Sequence, residues 1–151
     1  KIISALGDVD ELSSIIGVCV NSCSDSETIK FLNKIQNNLF DIGGQISLNS
    51  FDNSIINEKM ITDLDNQIDI LNSELDPLKE FILPGGDSFS SNIHIARSVT
   101  RRAERTTVDL YSESLNENPV IMYLNRLSDY FFVLSRNYNK KNNISETTWK
   151  R

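Results

Sequence analysis

The sequence predicts an all-α fold, an antiparallel five-helix bundle of the ferritin-like up-and-down kind, and two observations support this. Apolar residues recur at helical spacing over most of the 151 residues, and no stretch alternates polar and apolar residues as a half-buried strand does. The chain has three prolines and six glycines, so long helical stretches are joined by short connections. The length suits one domain, and we expect a single domain over residues 1–151 whose polar tail, 140–151, frays.

The first two helices follow from apolar spacing and from residues that start or stop helices. The first is predicted over 8–22, with Gly17 as an alternative end. Ser24 and Glu27 have the spacing of a capping box, which predicts the start of the second helix. The pair Gly43–Gly44 lies inside this second helix and weakens its propensity, so we expect a neighbouring helix to pack closely there.

The other three helices are bounded by prolines and by one acidic residue. The third is predicted over 57–75 and ends before Pro77, which disfavours helical geometry in the residue that precedes it. The fourth begins near Asp87, which we expect to cap it, and continues to about residue 112. Pro119 suits the first turn of the fifth helix, which ends near residue 139.

Charge and cysteine content exclude several classes of function. The formal net charge is −6 and the pI about 4.8, so the chain lacks the basic character that broad nucleic-acid binding needs. No apolar run approaches the roughly 20 residues of a membrane span. Cys19 and Cys23 lie one helical turn apart and His94 is the single histidine, so no zinc ligand set is complete. We interpret both cysteines as reduced thiols and expect a reducing compartment.

The fourth helix carries the charged residues that point to a function. Arg97, Arg101 and Glu104 follow one another at spacings of four and three, so they share one face, away from the apolar stripe. Guanidinium groups one turn apart match phosphate oxygens, and a carboxylate beside them can orient an arginine or bind nucleotide-associated magnesium. The Gly85–Gly86 loop leads into the same helix, whose first N–H groups attract anions. The segment Phe81–Arg105 is therefore predicted to hold a polyphosphate.

Spacing alone leaves alternatives open at these positions. Arginine and glutamate on one helix face also form simple ion pairs in solvent. Asn125 on the fifth helix can hydrogen-bond a ligand or lie idle at the surface. Asp8, Asp10 and Glu11 suit the dipole of a helix that begins near residue 8, while Asp10 is also a candidate partner for an arginine. A di-iron bundle needs two Glu-x-x-His motifs, which one histidine cannot supply.

Three blocks of the sequence resemble one family, the PduO-type corrinoid adenosyltransferases, which transfer adenosyl from ATP to cob(I)alamin. The blocks are ALGDVDELSSIIG at 5–17, FILPGGDSFSSNIHIARSVTRRAER at 81–105 and YLNRLSDYFFVLSR at 123–136, in the family's order and at its spacings. The resemblance implies a transferase that binds ATP, Mg²⁺ and a reduced corrinoid and makes adenosylcobalamin with release of triphosphate. It also implies a homotrimer with active sites between subunits, a flavoprotein reductase and an adenosylcobalamin-dependent enzyme as partners.

The resemblance also implies roles for single residues. The residues that would bind the nucleotide are Asn125 and the five residues of the run Arg101, Arg102, Ala103, Glu104 and Arg105. Glu104 would also support the metal that accompanies the triphosphate. Arg97 would pair with Asp10 of a neighbouring subunit and shape the site at the interface. Phe81 would press on the lower face of the corrin and keep the dimethylbenzimidazole ligand from cobalt, which eases reduction to Co(I).

Two other functions compete with this interpretation. The glycine-, threonine-, serine- and lysine-rich loop that wraps ATP phosphates in the family would precede Lys1 and is not found within 1–151. One alternative is therefore a catalytically silent bundle that senses nucleotide or carries adenosylcobalamin. Another is a scaffold whose arginine helix binds an acidic protein. The expected location is the bacterial cytoplasm, or an organelle matrix if the source is eukaryotic.

Overall fold

The computed structural model describes residues 1–48, 55–111 and 118–150, and within these ranges the regular structure is five α-helices. They are α1 (Ile2–Ser22), α2 (Ser26–Leu48), α3 (Glu58–Ser73), α4 (Ser88–Leu110) and α5 (Pro119–Lys141). α4 packs against both α1 and α5, α1 also packs on α2, and α3 packs on α5. The predicted all-α bundle is confirmed. The predicted end of the fourth helix, near residue 112, lies outside the described residues.

The first helix starts at Ile2 rather than near residue 8 and runs through Gly17 to Ser22. No side-chain cap starts it, and packing extends it instead, because a continuous stripe is buried: Ala5, Val9, Leu12, Ile16 and Cys19. The early start contradicts the helix-dipole interpretation of Asp8, Asp10 and Glu11. These residues lie beyond the first turn, where an acidic side chain gains little from the dipole.

Side-chain caps define the starts of α2 and α4. The predicted capping box is wrong by one residue, because Asp25 rather than Ser24 accepts the Thr28 N–H, at 2.8 Å. Hydrogen bonds from Thr28 also hold the pKa of Asp25 below its usual range. Asp87 caps α4 as predicted, since its Oδ1 accepts the Ser90 N–H at 2.8 Å.

The core lies where α5 meets its neighbours, and α5 is buried around most of its circumference. The predicted stripe of Leu124, Leu127, Phe131 and Leu134 is buried as expected. Tyr123 and Tyr130 are buried as well, because α3 and α4 cover other sides of the helix. Asn38 of α2 donates a hydrogen bond to the Tyr123 hydroxyl at 3.0 Å, so this buried polar group has a partner.

The predicted close contact at the glycine pair of α2 holds for one of the two residues. A Cβ at Gly43 would lie 3.3 Å from Leu6 Cδ1 of α1, tighter than most side-chain contacts. Gly44 faces open space, so no neighbour requires it to be small.

The polar tail is ordered, contrary to the prediction that it frays. α5 continues to Lys141, and the chain then returns along the connector that precedes α4, where Ile82 and Thr148 form an antiparallel bridge. The Leu83 N–H donates to the Thr147 carbonyl at 2.8 Å, and the Trp149 N–H donates to the Phe81 carbonyl at 2.7 Å. Main-chain pairing therefore fixes a segment whose composition alone indicates solvent exposure.

Two further expectations concern membranes and cysteines. Across the described part of the chain, each helix is too short or too polar to cross a membrane. Cys19 and Cys23 are free thiols, as predicted, and burial raises the pKa of Cys19 to about 12. Such a thiol stays protonated and unreactive near neutral pH.

We expect Gly86→Ala to lower the free energy of unfolding by about 1–3 kcal/mol. Gly86 has φ +124°, and an added Cβ would lie 2.3 Å from Oδ1 of the buried Asn139. The matched control is Gly85→Ala, whose Cβ meets nothing within 4 Å. Urea unfolding followed by circular dichroism measures both, and equal losses for the two variants would contradict the strain at Gly86.

Candidate functional site

The carboxylate of Glu104 joins the two helices that carry most of the predicted site. Its Oε2 lies 2.5 Å from Nη1 of Arg101, one turn away on α4. Its Oε1 accepts a hydrogen bond from Nδ2 of Asn125 on α5 at 3.0 Å. Glu104 is buried, whereas the Arg101 side chain is 45% exposed. The structure thus brings together three predicted site residues, and we call Arg101, Glu104 and Asn125 the carboxylate cluster.

The carboxylate cluster is suited to binding an anion through Arg101. A guanidinium carries five N–H donors, and the contact to Glu104 occupies one nitrogen, which leaves donors on an accessible side chain. Because Asn125 fixes the carboxylate and the carboxylate fixes the guanidinium, Arg101 loses less freedom when it binds a phosphate.

A metal ion fits this site only together with a phosphate ligand. Both Glu104 oxygens already have partners, and the described residues contain no group of three His, Cys, Asp or Glu side chains that could hold a metal. Mg²⁺ is commonly bound by one or two carboxylates plus substrate phosphates and water. Glu104 can supply such a single carboxylate if one of its partners moves.

Arg102 points toward α1, away from the carboxylate cluster. Its Nε donates to Oδ1 of Asp8 at 2.9 Å, and its Nη2 pairs with Glu11. Thr106 donates to the other Asp8 oxygen at 2.9 Å. Asp8 and Glu11 therefore serve as partners of an arginine between two packed helices.

The remaining two residues of the RRAER run differ in their surroundings. Ala103 is fully buried in the core, and Arg105 is exposed on the surface. Since Arg102 is engaged with α1, Arg101 is the member of the run whose geometry fits a phosphate, and Glu104 orients it. Nucleotide binding by Arg102, Ala103 and Arg105 stays a prediction.

Arg97 and Asp10 do not contact each other within one chain. The Nε of Arg97 is buried and has no hydrogen-bond partner among the described residues. Asp10 lies exposed on α1, and no ion pair of its carboxylate occurs in the described ranges. A buried unpaired guanidinium nitrogen is costly, so an acceptor from outside the chain would stabilise it. Burial, with a smaller contribution from nearby Arg97, also lowers the pKa of His94.

Phe81 lies on the surface, at the connector between α3 and α4. It is 79% exposed, which excludes a role as a core aromatic. Its ring packs edge-on against Trp149 of the tail, with centroids 6.4 Å apart. An apolar ring held in solvent by a neighbouring ring is available to an apolar ligand surface. Trp149 escaped the sequence analysis because it lies in a polar tail that gives no periodic signal.

The glycine loop does not join the arginines in holding one phosphate, contrary to the prediction. Arg101 lies 13 residues after Ser88, which places it about 20 Å along the helix axis. At the start of α4, Asp87 already accepts the Ser90 N–H. Gly86 packs against Asn139, so the loop serves the fold of this end of the bundle.

A family model described as Cobalamin adenosyltransferase matches residues 1–138 of the chain. A cobalamin adenosyltransferase of Cupriavidus metallidurans is 42% identical over 151 residues, which cover 99% of this chain and 80% of the relative. A corrinoid adenosyltransferase of Bacillus subtilis is 39% identical over 155 residues, with coverage of 99% and 80%.

Solved structures agree with these sequence relatives. A PduO-type ATP:corrinoid adenosyltransferase variant from Lactobacillus reuteri, complexed with cobalamin and ATP, superposes with a TM-score of 0.88 at 30% identity. The match covers 99% of this chain and 86% of that chain. A second variant from the same organism, complexed with ATP, gives a TM-score of 0.86 at 35% identity, with coverage of 99% and 87%.

Proposed function

The chain belongs to the cobalamin adenosyltransferase family, and on this premise we propose that it is an ATP:cob(I)alamin adenosyltransferase. It transfers the 5′-deoxyadenosyl group of ATP to the cobalt of a reduced corrinoid and releases triphosphate. The observation that carries the proposal is the carboxylate cluster, in which Arg101 and Asn125 converge on the buried Glu104. The resemblance of the whole chain to ATP- and cobalamin-bound structures supports both substrates.

The reaction needs positioning and charge stabilisation rather than a general base. The electron pair of Co(I) forms the bond to the 5′ carbon, and the bond from that carbon to the triphosphate oxygen breaks. Its electron pair leaves with the triphosphate, so no proton is transferred. Arg101 lies where a preorganised donor can stabilise the charge that grows on the leaving oxygens. Glu104 and Asn125 hold Arg101 in place before ATP binds.

Magnesium enters as the ion that accompanies ATP. Bound Mg²⁺ would neutralise part of the triphosphate charge, and Glu104 would be the carboxylate that holds it together with phosphate oxygens. Glu104 would then give up its contact with Arg101 or Asn125.

Phe81 acts at the cobalt side of the reaction. Its exposed ring forms an apolar wall against the lower face of the corrin and keeps the dimethylbenzimidazole ligand off cobalt. A cobalt without that electron donor is easier to reduce. In the two Lactobacillus reuteri structures the altered phenylalanine and arginine lie 20 residues apart, as Phe81 and Arg101 do here. This equal spacing supports a correspondence of Phe81 and Arg101 with those two altered residues.

The active sites lie between the subunits of a homotrimer. Asp10 lines an apolar groove of about 510 Å³ between α1 and α2, beside Phe40, which is 85% exposed. Such a surface is unfavourable in water and is typical of a subunit contact. The neighbour's Arg97 then finds in Asp10 the acceptor that its own chain does not give it. A flavoprotein reductase supplies the electron for Co(I), an adenosylcobalamin-dependent enzyme receives the product, and both work in a bacterial cytoplasm or organelle matrix.

We expect the protein to form adenosylcobalamin from ATP, Mg²⁺ and chemically reduced cobalamin under anaerobic conditions. Arg101→Ala should lower turnover by about 100-fold or more while helicity stays unchanged, since a charge-stabilising donor is lost. Absorbance of the cobalamin product measures turnover. Arg126→Ala, which removes two half-exposed surface ion pairs, with Asp65 and Asp129, is the control. Binding of ATP without any turnover by the unmodified protein would favour the silent carrier or sensor.

Phe81→Ala should remove the four-coordinate Co(II) species and leave stability within about 0.5 kcal/mol, because the ring is exposed. Electron paramagnetic resonance of the complex with ATP and cob(II)alamin measures the cobalt species. Leu78→Ala, at a 42% exposed residue of the same connector, is the control. Unchanged cobalt spectra in Phe81→Ala would refute its role.

Mixing Asp10→Ala and Arg97→Ala proteins tests whether the site forms between subunits. Each variant alone should lose activity by about 100-fold, because either substitution removes the proposed ion pair, and Asp10→Ala also leaves the buried Arg97 Nε without an acceptor. Subunit exchange creates interfaces where an intact Asp10 meets an intact Arg97, so activity should return in mixed trimers. Sedimentation gives the oligomeric state before and after mixing. Trimers that exchange subunits without regaining activity would contradict the inter-subunit pair.

A further inference from the structure

Arg136 of α5 is a buried cation that no step of the proposed reaction uses. Its side chain is 9% exposed, and its Nε donates to Oε1 of Glu146 at 2.9 Å. Its Nη2 donates to Oε2 of Glu146 at 3.4 Å and to the backbone carbonyl of Asp76 at 3.2 Å. A bidentate guanidinium–carboxylate pair of this kind fixes the orientation of both groups. Arg136 thereby ties the tail and the segment after α3 to α5.

Glu146 lies next to the tail residues that pair with the connector carrying Phe81. The residue after it, Thr147, accepts the Leu83 N–H at 2.8 Å. Two residues further on, the Trp149 N–H donates to the Phe81 carbonyl at 2.7 Å. The Trp149 ring then packs edge-on against the Phe81 ring. The tail therefore contacts Phe81 through both its backbone and its side chain.

Phe81 is 79% exposed and lies on an irregular connector, so packing against the hydrophobic core does not hold its ring in place. Ordering an exposed side chain and its backbone on binding costs conformational entropy. A wall that is ordered beforehand avoids this cost when a corrinoid arrives. In this chain the order comes from the bonds between 81–83 and 147–149, which are anchored at Glu146.

We propose that Arg136 and Glu146 are positioning residues for the corrinoid side of the site: their ion pair docks the tail, and the docked tail sets the place of Phe81. The inference rests on the proposed function, which it deepens. The carboxylate cluster shares none of these contacts among the described residues. Loss of the pair should therefore impair corrinoid binding and leave nucleotide binding intact.

Glu146→Ala is the variant that tests the proposal, because Glu146 lies outside the helices and the substitution removes no side chain of the apolar core. Trp149 is the single tryptophan, so its fluorescence reports on tail docking without any ligand. We expect a red shift of its emission and amide exchange at Leu83 and Trp149 that is about tenfold faster or more. The KM for cob(II)alamin under reducing conditions should rise about tenfold, with the KM for ATP within about twofold.

Two further variants separate positioning from general stability. Asp76→Asn removes an exposed ion pair with Lys140 at the same end of the bundle but keeps the Asp76 carbonyl, so it should change none of these signals. Glu146→Asp keeps the charge and should recover part of the docking and of the four-coordinate cobalt signal that Glu146→Ala loses.

Three outcomes of the Glu146→Ala experiment decide whether Arg136 and Glu146 position Phe81. Tail release with weaker corrinoid binding and unchanged ATP binding supports the proposal. A tail that stays docked in Glu146→Ala overturns it, and so does a released tail with unchanged cobalt spectra. If the unmodified protein forms no adenosylcobalamin, the proposed function fails instead. The fluorescence and exchange measurements then still decide whether the Arg136–Glu146 pair docks the tail on the connector that carries Phe81.

Discussion

The packing of α4 against α5 sets the position of the carboxylate cluster, on which the proposed nucleotide site depends. Small residues on α4, Ala96 and Ala103, are fully buried where this helix meets the core, and large residues of α5 such as Phe131 fill the space. The hydrogen bond from Asn125 to Glu104 crosses this helix pair. Because packed helices resist changes of spacing, the Glu104 carboxylate keeps one place, and the Arg101 guanidinium follows it.

The C-terminal end of α5 anchors neighbouring segments of irregular backbone. Three polar residues near the C-terminal end of α5 are buried: Arg136, Asn137 and Asn139. Asn137 donates to the Leu71 carbonyl at 3.0 Å, and Asn139 donates to the Gly85 carbonyl at 3.4 Å. Side chains of α5 thus donate hydrogen bonds to backbone carbonyls at the end of α3 and in the connector before α4. The connector before α4 can therefore hold an exposed aromatic without a core of its own.

The sequence was sufficient for features that depend on local spacing. Periodicity located five helices, and a single aspartate, Asp87, identified the start of α4. Helical spacing put Arg101 and Glu104 on one face, and the structure shows them 2.5 Å apart. The family resemblance implied that Asn125 contacts the nucleotide, but its hydrogen bond to Glu104 was not predicted, because it joins two helices and periodicity describes one helix at a time.

Features that depend on contacts between distant parts of the chain could not be predicted from local sequence spacing. α1 starts at Ile2 because its apolar stripe is covered by other helices, and no local cap announces it. The tail is ordered by a bridge between Ile82 and Thr148, far apart in the sequence. The glycine loop was predicted as part of a phosphate site because it leads into the N-terminus of α4, the helix that carries Arg101. The distance between that N-terminus and Arg101 follows from the length of the helix and is too large for one phosphate.

The charge balance around the carboxylate cluster explains how an acidic protein binds a polyphosphate selectively. Arg102 is matched by Asp8 and Glu11, and Arg101 by Glu104, so these five side chains carry no excess of positive charge. Binding cannot then rest on a broad positive potential, which would attract any polyanion. It has to rest on geometry, the fit of one oriented guanidinium to phosphate oxygens. On the proposed function, a triphosphate that carries Mg²⁺ would meet this condition, because the metal would lower the charge that the protein must balance and would give Glu104 a partner if Arg101 bound the phosphates.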